Sequence, residues 1–261
     1  MPFTVAVVGA SGRLGSVVVR VVEAMPEARL TASLGSRDPL EAAFAADVVV
    51  DATHPAASPG IVGAAVAAGR RVLVGTSGWS EERLAALRRQ VAEAPAAGVV
   101  VIPNFSLGSA LATGFATIAA RYFDSAEIIE AHHAGKVDSP SGTAVRTAEL
   151  MAAQRGPFAA PHADQRARGQ QVGGIPIHSL RLAGVVARQE VLLGGAGEVL
   201  TITHDTTSNA AYEAGIRAAL LRTAETSGEV VVGLDRVLGL DVALGLASTD
   251  PAPAPVEGPG E

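Results

Sequence analysis

The densest chemistry in the chain lies in one run, Glu130-Ala131-His132-His133-Ala134-Gly135-Lys136-Val137-Asp138-Ser139-Pro140-Ser141-Gly142-Thr143. Two imidazoles and an ammonium close together at the end of a predicted strand supply proton-transfer groups and positive charge. Ser141-Gly142-Thr143 opens a predicted helix, and the unpaired N–H groups of its first turn suit a carboxylate. These are the parts of a site for an anionic substrate that must be protonated. A metal site is the competing reading. It is disfavoured because adjacent histidines on a strand point to opposite faces and no carboxylate at helical spacing completes a ligand set. Ser141 could serve only as a helix cap, but cap and anion site use the same N–H groups.

A second constellation stands at the other end of the chain. Gly9-Ala10-Ser11-Gly12-Arg13-Leu14-Gly15 follows the apolar run Val5 to Val8, a G-x-x-G-x-x-G variant of the dinucleotide fingerprint. Such glycines let backbone turn sharply and approach a pyrophosphate, and the next helix offers its positive end to that charge. The same residues could also make a tight strand-to-helix turn without a ligand. The next strand ends in Gly35-Ser36-Arg37-Asp38. A small Gly leaves room for a ribose 2′-phosphate and Arg37 supplies a guanidinium for it, so NADPH is expected over NADH, with Arg13 as a second cation. In the opposite reading Arg37 is a solvated charge and Asp38 binds the 2′-hydroxyl of NADH. Gly75-Thr76-Ser77-Gly78 and Pro103-Asn104-Phe105 each follow a strand, on the edge where such folds bind ligands, which favours the nicotinamide side. His54 ends a strand on that edge, whereas His162, His178 and His204 read as structural or exposed.

The elements that must hold these residues follow from the apolar pattern. Short runs at Val5–Val8, Leu30–Leu34, Val48–Asp51, Val72–Val74 and Val99–Ile102 alternate with helical stretches Leu14–Ala24, Gly60–Ala68 and Ser80–Ala94. Continuous apolar strands separated by helices imply a parallel sheet covered on both faces. The class expected is α/β, a Rossmann-like doubly wound sheet, with a second α+β domain carrying a mixed sheet. That second part reads as a helix through Arg121, a strand Ala126–Ala131, a helix Thr143–Arg155, an exposed loop Gly156–Gly174, and strands Ile177–Leu182, Arg188–Leu193 and Val199–His204. A helix Ala210–Thr226 and a strand Val230–Leu234 return to the first domain. The expected division is 1–105 with about 210–247 for the dinucleotide, 106–209 for substrate and oligomerisation, and a frayed tail over 248–261.

Composition removes whole classes of function. The chain has 261 residues, a formal charge of −6, 48% hydrophobic and 3% aromatic residues, and no cysteine. An acidic, aromatic-poor surface does not suit nucleic acid, and without Cys there are no disulfides, thiolate zinc sites or cysteine nucleophiles. No apolar run nears the roughly 20 residues that span a bilayer, and the start lacks a signal peptide's basic flank, so no membrane association and a cytoplasmic location are expected.

These motifs resemble the bacterial dihydrodipicolinate reductase family of lysine and diaminopimelate biosynthesis, along most of the chain. The selective part is Glu130-Ala131-His132-His133 with Lys136-Val137-Asp138-Ser139-Pro140-Ser141-Gly142-Thr143; Asp51-Ala52-Thr53-His54-Pro55 and Gly174-Ile175-Pro176-Ile177-His178-Ser179-Leu180-Arg181 support it. The resemblance implies that His132 is the proton donor and acceptor and Lys136 a second proton donor. It gives the substrate dicarboxylate to His133, Gly142 and Thr143, beside Ser141. It implies that Gly9, Ala10, Ser11, Gly12, Arg13 and Leu14, then Gly75, Thr76 and Ser77, and then Ile102, Pro103, Asn104 and Phe105 bind NADPH or NADH. Hydride delivery to an unsaturated six-membered ring, with loss of water, and a homotetramer built through the second sheet are further implications. No metal is implied. Four positions depart from the family pattern: Gly35 for an acid, Ala52 for Phe, Gly135 for His, and Ser208-Asn209-Ala210-Ala211-Tyr212 where Arg, a hydroxyl residue and Phe are usual. Gly35 bears on cofactor choice, while Ala52, Gly135 and Asn209 leave open a paralogous reductase of another cyclic imine or imino acid; a non-catalytic nucleotide-binding regulator is a third reading.

Overall fold

The computed structural model describes residues 1–159, 162, 164–165 and 167–245; the tail expected over 248–261 lies outside the described residues. In chain order the elements are β1 (Phe3–Val8), α1 (Arg13–Glu23), β2 (Ala28–Leu34), β3 (Val48–Asp51), α2 (Ser58–Ala67), β4 (Arg71–Val74), α3 (Glu81–Glu93), β5 (Gly98–Val101) and α4 (Leu107–Ala119). There follow β6 (Ser125–His132), α5 (Gly142–Arg155), β7 (Gln170–Val172), β8 (Ile175–Arg181), β9 (Ala187–Gly195), β10 (Glu198–Thr206), α6 (Glu213–Glu225), β11 (Val230–Val232), α7 (Leu234–Val237) and α8 (Leu240–Ala243).

The first sheet has the order β11-β5-β4-β3-β1-β2, with every neighbouring pair parallel. Its strands are short and almost wholly apolar because both faces are covered. On one face Val5, Val7, Val48 and Val50 pack with Val18 and Val22 of α1 and Ile216 and Leu220 of α6. On the other, Ala6, Val49 and Val72 pack with Val62 and Val66 of α2 and Leu84, Leu87 and Val91 of α3. The strand order reverses between β1 and β3, which opens a crevice at their carboxyl ends.

The second sheet has the order β10-β9-β6-β8-β7 and is mixed, with β6 and β8 parallel and the other pairs antiparallel. One face carries Ala126, Ile128, Val191 and Leu193 against Ala116 of α4 and Ala144, Ala148 and Met151 of α5. The α/β class and its two sheets therefore match the expectation from the apolar pattern.

Four local expectations are corrected. Residues Gln170–Val172, expected within a loop, pair antiparallel with β8 as an edge strand. Gly173 and Gly174, both at positive φ, turn the chain back sharply enough for the sheet edge to capture a polar segment. The helix expected from Ala210 starts as a 3-10 turn over Asn209–Tyr212 and becomes α-helical at Glu213. The strand expected to reach Leu234 stops at Val232, because Gly233 at φ 100° redirects the chain into α7. β6 runs one residue further than expected, so that His132 is its last residue.

Helix α6 docks on the loop after β5 at Gly215, where a Cβ would lie 1.9 Å from the Phe105 carbonyl oxygen. Gly215→Ala should therefore cost about 1–3 kcal/mol in chemical denaturation. An unchanged midpoint would contradict this docking.

Candidate active site

Four loops gather at the carboxyl edge of the first sheet, each held by one more hydrogen bond in line with the ladder. Ala52 N donates to Val8 O, Gly75 N to Asp51 O and Ile102 N to Val74 O, all at 2.9 Å, while Gly9 N donates to Leu34 O at 2.8 Å. Gly9 has φ +84°, and a Cβ there would sit 2.4 Å from Ala52 O. A Cβ at Gly15 would sit 2.1 Å from Gly9 O, so the turn closes tightly between the end of β3 and the start of α1. Gly12 is the N-cap of α1, with no side-chain cap and no acid in the first turn. The positive end of α1 is thus left for an outside anion, at the crevice where the strand order reverses. This fits a dinucleotide pyrophosphate.

Around this turn, Ala10, Ser11, Gly12 and Arg13 are half-buried to exposed, and Leu14 packs behind them. A Cβ at Gly75 would come within 2.6 Å of Leu14 and 3.0 Å of Phe105, so those three residues form one tight wall. Thr76, Ile102 and Phe105 are buried and support the edge from behind, whereas Ser77 and Pro103 are exposed on it. A buried carboxylate braces the same edge. Asp51 accepts from Thr53 N at 3.2 Å, from the Thr53 hydroxyl and from the Ser58 hydroxyl, and Trp79 Nε1 donates to Ser58 at 3.1 Å. At the end of β2, Asp38 Oδ2 accepts from Gly35 N at 2.7 Å, which commits the acid to its own turn and leaves Arg37 exposed. Arg13 acts electrostatically on Tyr212, a half-buried phenol that burial pushes up. The altered segment 208–212 therefore lies next to the glycine turn.

The run Glu130 to Thr143, read from sequence as proton-transferring, is held by the second sheet. His132 ends β6, and Ser141 caps α5, accepting from Ala144 N at 3.2 Å. Between them Lys136 Nζ donates to both oxygens of Asp138 at 2.8 Å, and Lys136 N donates to His133 O at 3.0 Å. Gly142 is exposed, with nothing within 4 Å of where a Cβ would stand, and Thr143 is half-buried. Asn104 joins this region to the first sheet. Its Nδ2 donates to Ser109 at 3.0 Å and to Thr143 Oγ1 at 3.5 Å, while its Oδ1 accepts from Ser106 N at 2.9 Å. Residues read as cofactor-side and substrate-side from sequence thus meet at one place.

Glu130 and Arg181 had no assigned role in the sequence, although both lie inside the recognised motifs. Glu130 is fully buried, and its Oε2 receives His132 Nδ1 at 2.6 Å. Arg181 donates to both Glu130 oxygens at 3.0 Å, and Ser141 N donates to Oε1 at 3.1 Å. The available signal was the spacing i, i+2 on a strand, which puts Glu130 and His132 on one face. Burial opposes the Glu130 charge, but bonds from Arg181, Ser179 and His132 outweigh it and hold the carboxyl below its ordinary range. Burial pushes His132 down, against the opposing pull of Glu130. Asp138 is held low by Lys136 and Arg181, again against burial.

The other histidines lie elsewhere. His54 is exposed and accepts from Ala56 N at 3.3 Å. His162 is exposed beside Asp164, and His178 pairs with Glu127 at 2.6 Å. His204 has a defined place: its Nε2 lies 3.1 Å from Ser106 Oγ, and a Cβ on Gly108 would strike its ring. Among the described residues no group of three or more metal-ligating side chains has a metal-holding arrangement.

Residues 3–105 match the family model described as dihydrodipicolinate reductase, N-terminus, and residues 108–238 match dihydrodipicolinate reductase, C-terminus. The chain is 60% identical over 244 residues to the 4-hydroxy-tetrahydrodipicolinate reductase of Clavibacter michiganensis subsp. michiganensis, covering 92% of this chain and 88% of that one. It is 57% identical over 267 residues to the enzyme of the same name from Clavibacter sepedonicus, covering 100% and 96%. Among solved structures, a dipicolinate-bound dihydrodipicolinate reductase from Paenisporosarcina sp. TG-14 superposes with a TM-score of 0.78 at 31% identity, over 90% of this chain and 99% of that one.

Burial holds His204 below its ordinary value of 6.5, against a smaller opposing effect of Asp205. The folded state therefore resists protonation more than the unfolded chain does, so this contribution to stability is full above 6.5 and is lost as pH falls through the folded value. Lowering the pH from about 7.5 to about 5.5 should reduce the denaturation midpoint, and His204→Gln should flatten that dependence. An equal slope in both proteins would remove His204 from the linkage.

Proposed function

The chain belongs to the dihydrodipicolinate reductase family, and from that premise we propose that its cleft reduces 4-hydroxy-tetrahydrodipicolinate to tetrahydrodipicolinate with NAD(P)H, releasing water. The observation that carries this reading is the hydrogen bond from Asn104 to Thr143, which sets the glycine-lined edge of the first sheet against the His132–Thr143 loop. A reduced nicotinamide supplies hydride there.

The chain's own groups account for the rest. His132 takes up and releases the proton, and Lys136 is the second proton donor, reaching the substrate once it leaves Asp138. Positive charge on Lys136 and N–H groups at Ser141, Gly142 and Thr143, with His133, suit a dicarboxylate, and a protonated ring is the better hydride acceptor. Gly9, Ala10, Ser11, Gly12, Arg13 and Leu14 hold the pyrophosphate side of the cofactor, while Gly75, Thr76, Ser77 and Ile102 to Phe105 line the nicotinamide side. NADPH is the preferred reductant, because Asp38 is engaged in its own turn and Arg37 and Arg13 remain exposed for a 2′-phosphate.

Residues 1–105 with 210–247 serve the cofactor and 106–209 the substrate. The assembly is a homotetramer formed through the second sheet, where Leu180 and Val199 are exposed on the face turned from α4 and α5. The cytoplasm, which supplies reduced nicotinamide, is its location. No helix among the described residues is long and apolar enough to cross a membrane.

The direct test supplies purified protein with the intermediate made freshly from pyruvate and aspartate semialdehyde by its synthase, and follows oxidation of NADPH and, separately, of NADH. Rapid oxidation is expected, faster with NADPH at equal concentration. Oxidation of neither, with cofactor still bound, would overturn the substrate. Lys136→Ala should lower turnover by about 10²-fold or more while cofactor binding survives. Parallel loss of NADPH binding would contradict its role. Arg37→Ala should weaken NADPH more than NADH, and equal losses would reverse the assignment.

A further inference from the structure

A carboxylate with no solvent exposure is a costly feature, and Glu130 keeps its charge there because several donors converge on it. The convergence is more elaborate than an ion pair needs. Arg181 alone satisfies both oxygens, yet Oε2 also receives His132 Nδ1 and Oε1 also receives the backbone N–H of Ser141. The guanidinium reaches further still, with Nη2 donating to the Asp138 carbonyl at 2.6 Å and Nη1 to that of Leu180 at 2.7 Å. This pair of a buried carboxylate and a half-buried guanidinium therefore touches the last residue of β6, the loop that bears Lys136, and the entrance to α5.

We propose that Glu130, clamped by Arg181, is the positioning residue of this site. It fixes His132 with the proton on Nδ1 and Nε2 free to exchange a proton with substrate, and it ties that ring to the carboxylate-binding end of α5. The physical basis is general: a carboxylate on one imidazole nitrogen selects the tautomer, orients the ring and stabilises the imidazolium formed when the other nitrogen takes a proton. Neutral histidine in water favours the proton on Nε2, so without Glu130 the nitrogen meant for substrate would carry a hydrogen at the wrong stage. The charged groups facing His132 are Glu130 on its own strand, Arg181 from β8 and Lys136 from the following loop. Both cations oppose the imidazolium, and Glu130 alone of the three favours it. The role of Glu130 in turnover rests on the proposed reductase reaction, whereas the tautomer does not.

The test therefore has two arms. The first records nitrogen-15 spectra of histidine-labelled wild type above the His132 pKa, the His132 signal being identified by its loss in His132→Asn. Nδ1 protonated and Nε2 bare is expected, and a proton on Nε2 would overturn the proposal whether or not the protein turns over the lysine-pathway intermediate. The second arm measures kcat, KM and their pH profiles for Glu130→Gln. We expect kcat to fall about 10-fold or more, KM to change much less, and the limb set by His132 to move to lower pH, since the carboxylate that favours its charge is gone. Glu130→Gln with the wild-type kcat and pH profile would refute the positioning role. If that variant does not fold, the wild-type tautomer decides alone. If wild type shows the Nδ1 tautomer but no turnover, the substrate assignment fails and the placement of His132 stands.

Discussion

A buried carboxylate must find donors for both oxygens or lose its charge, and much of the second half of this chain is arranged around meeting that demand for Glu130. Its strand is the centre of the mixed sheet, so β8 can bring Arg181 to one side and the turn into α5 can bring Ser141 to the other. Meeting the demand fixes three things at once. The imidazole of His132 is oriented, the loop holding Lys136 is tethered through the Asp138 carbonyl, and the first turn of α5 is held in register with the strand end. Breaking such a pair on one side costs more than the pair contributes, because the remaining charge is left without a partner.

The first sheet works by the opposite means. Its ligand edge is shaped less by side chains than by their absence, since Cβ atoms at Gly9, Gly15 and Gly75 would collide with backbone or packed side chains. Here too a buried carboxylate steadies the frame: Asp51 ties Thr53 and Ser58, and through Ser58 the indole of Trp79. Two sheets built on different principles then meet through Asn104 and Thr143. This junction sets the glycine-lined edge of the first sheet beside the loop that carries His132 and Lys136.

The parallel sheet was legible because its strands are apolar on both faces and its helices alternate with them. The glycine turn was legible because its spacing has a backbone reason. That the run Glu130 to Thr143 joins a strand end to a helix start was legible from residue type, since Ser141 is a helix-capping residue and His132 follows an apolar run. Features that depend on partners distant in sequence were not legible. Gln170–Val172 is polar and becomes a strand only because β8 offers an edge. Glu130 and Arg181 are far apart in the chain, and only the parallel register of β6 with β8, which pairs His132 with Arg181, shows that they meet. His204 reads only as structural or exposed until the start of α4 brings Ser106 and Gly108 against it.

In the proposed reaction, a nicotinamide bound at the glycine-lined edge would deliver hydride directly to a ring bound at the His132–Thr143 loop. A single-turnover reaction with NADPH carrying deuterium at both C4 positions, followed by mass spectrometry of the product, reads this step itself. Direct transfer predicts tetrahydrodipicolinate bearing one deuterium that does not wash out in light water. Product without deuterium, or cofactor oxidised with the ring unreduced, would contradict it.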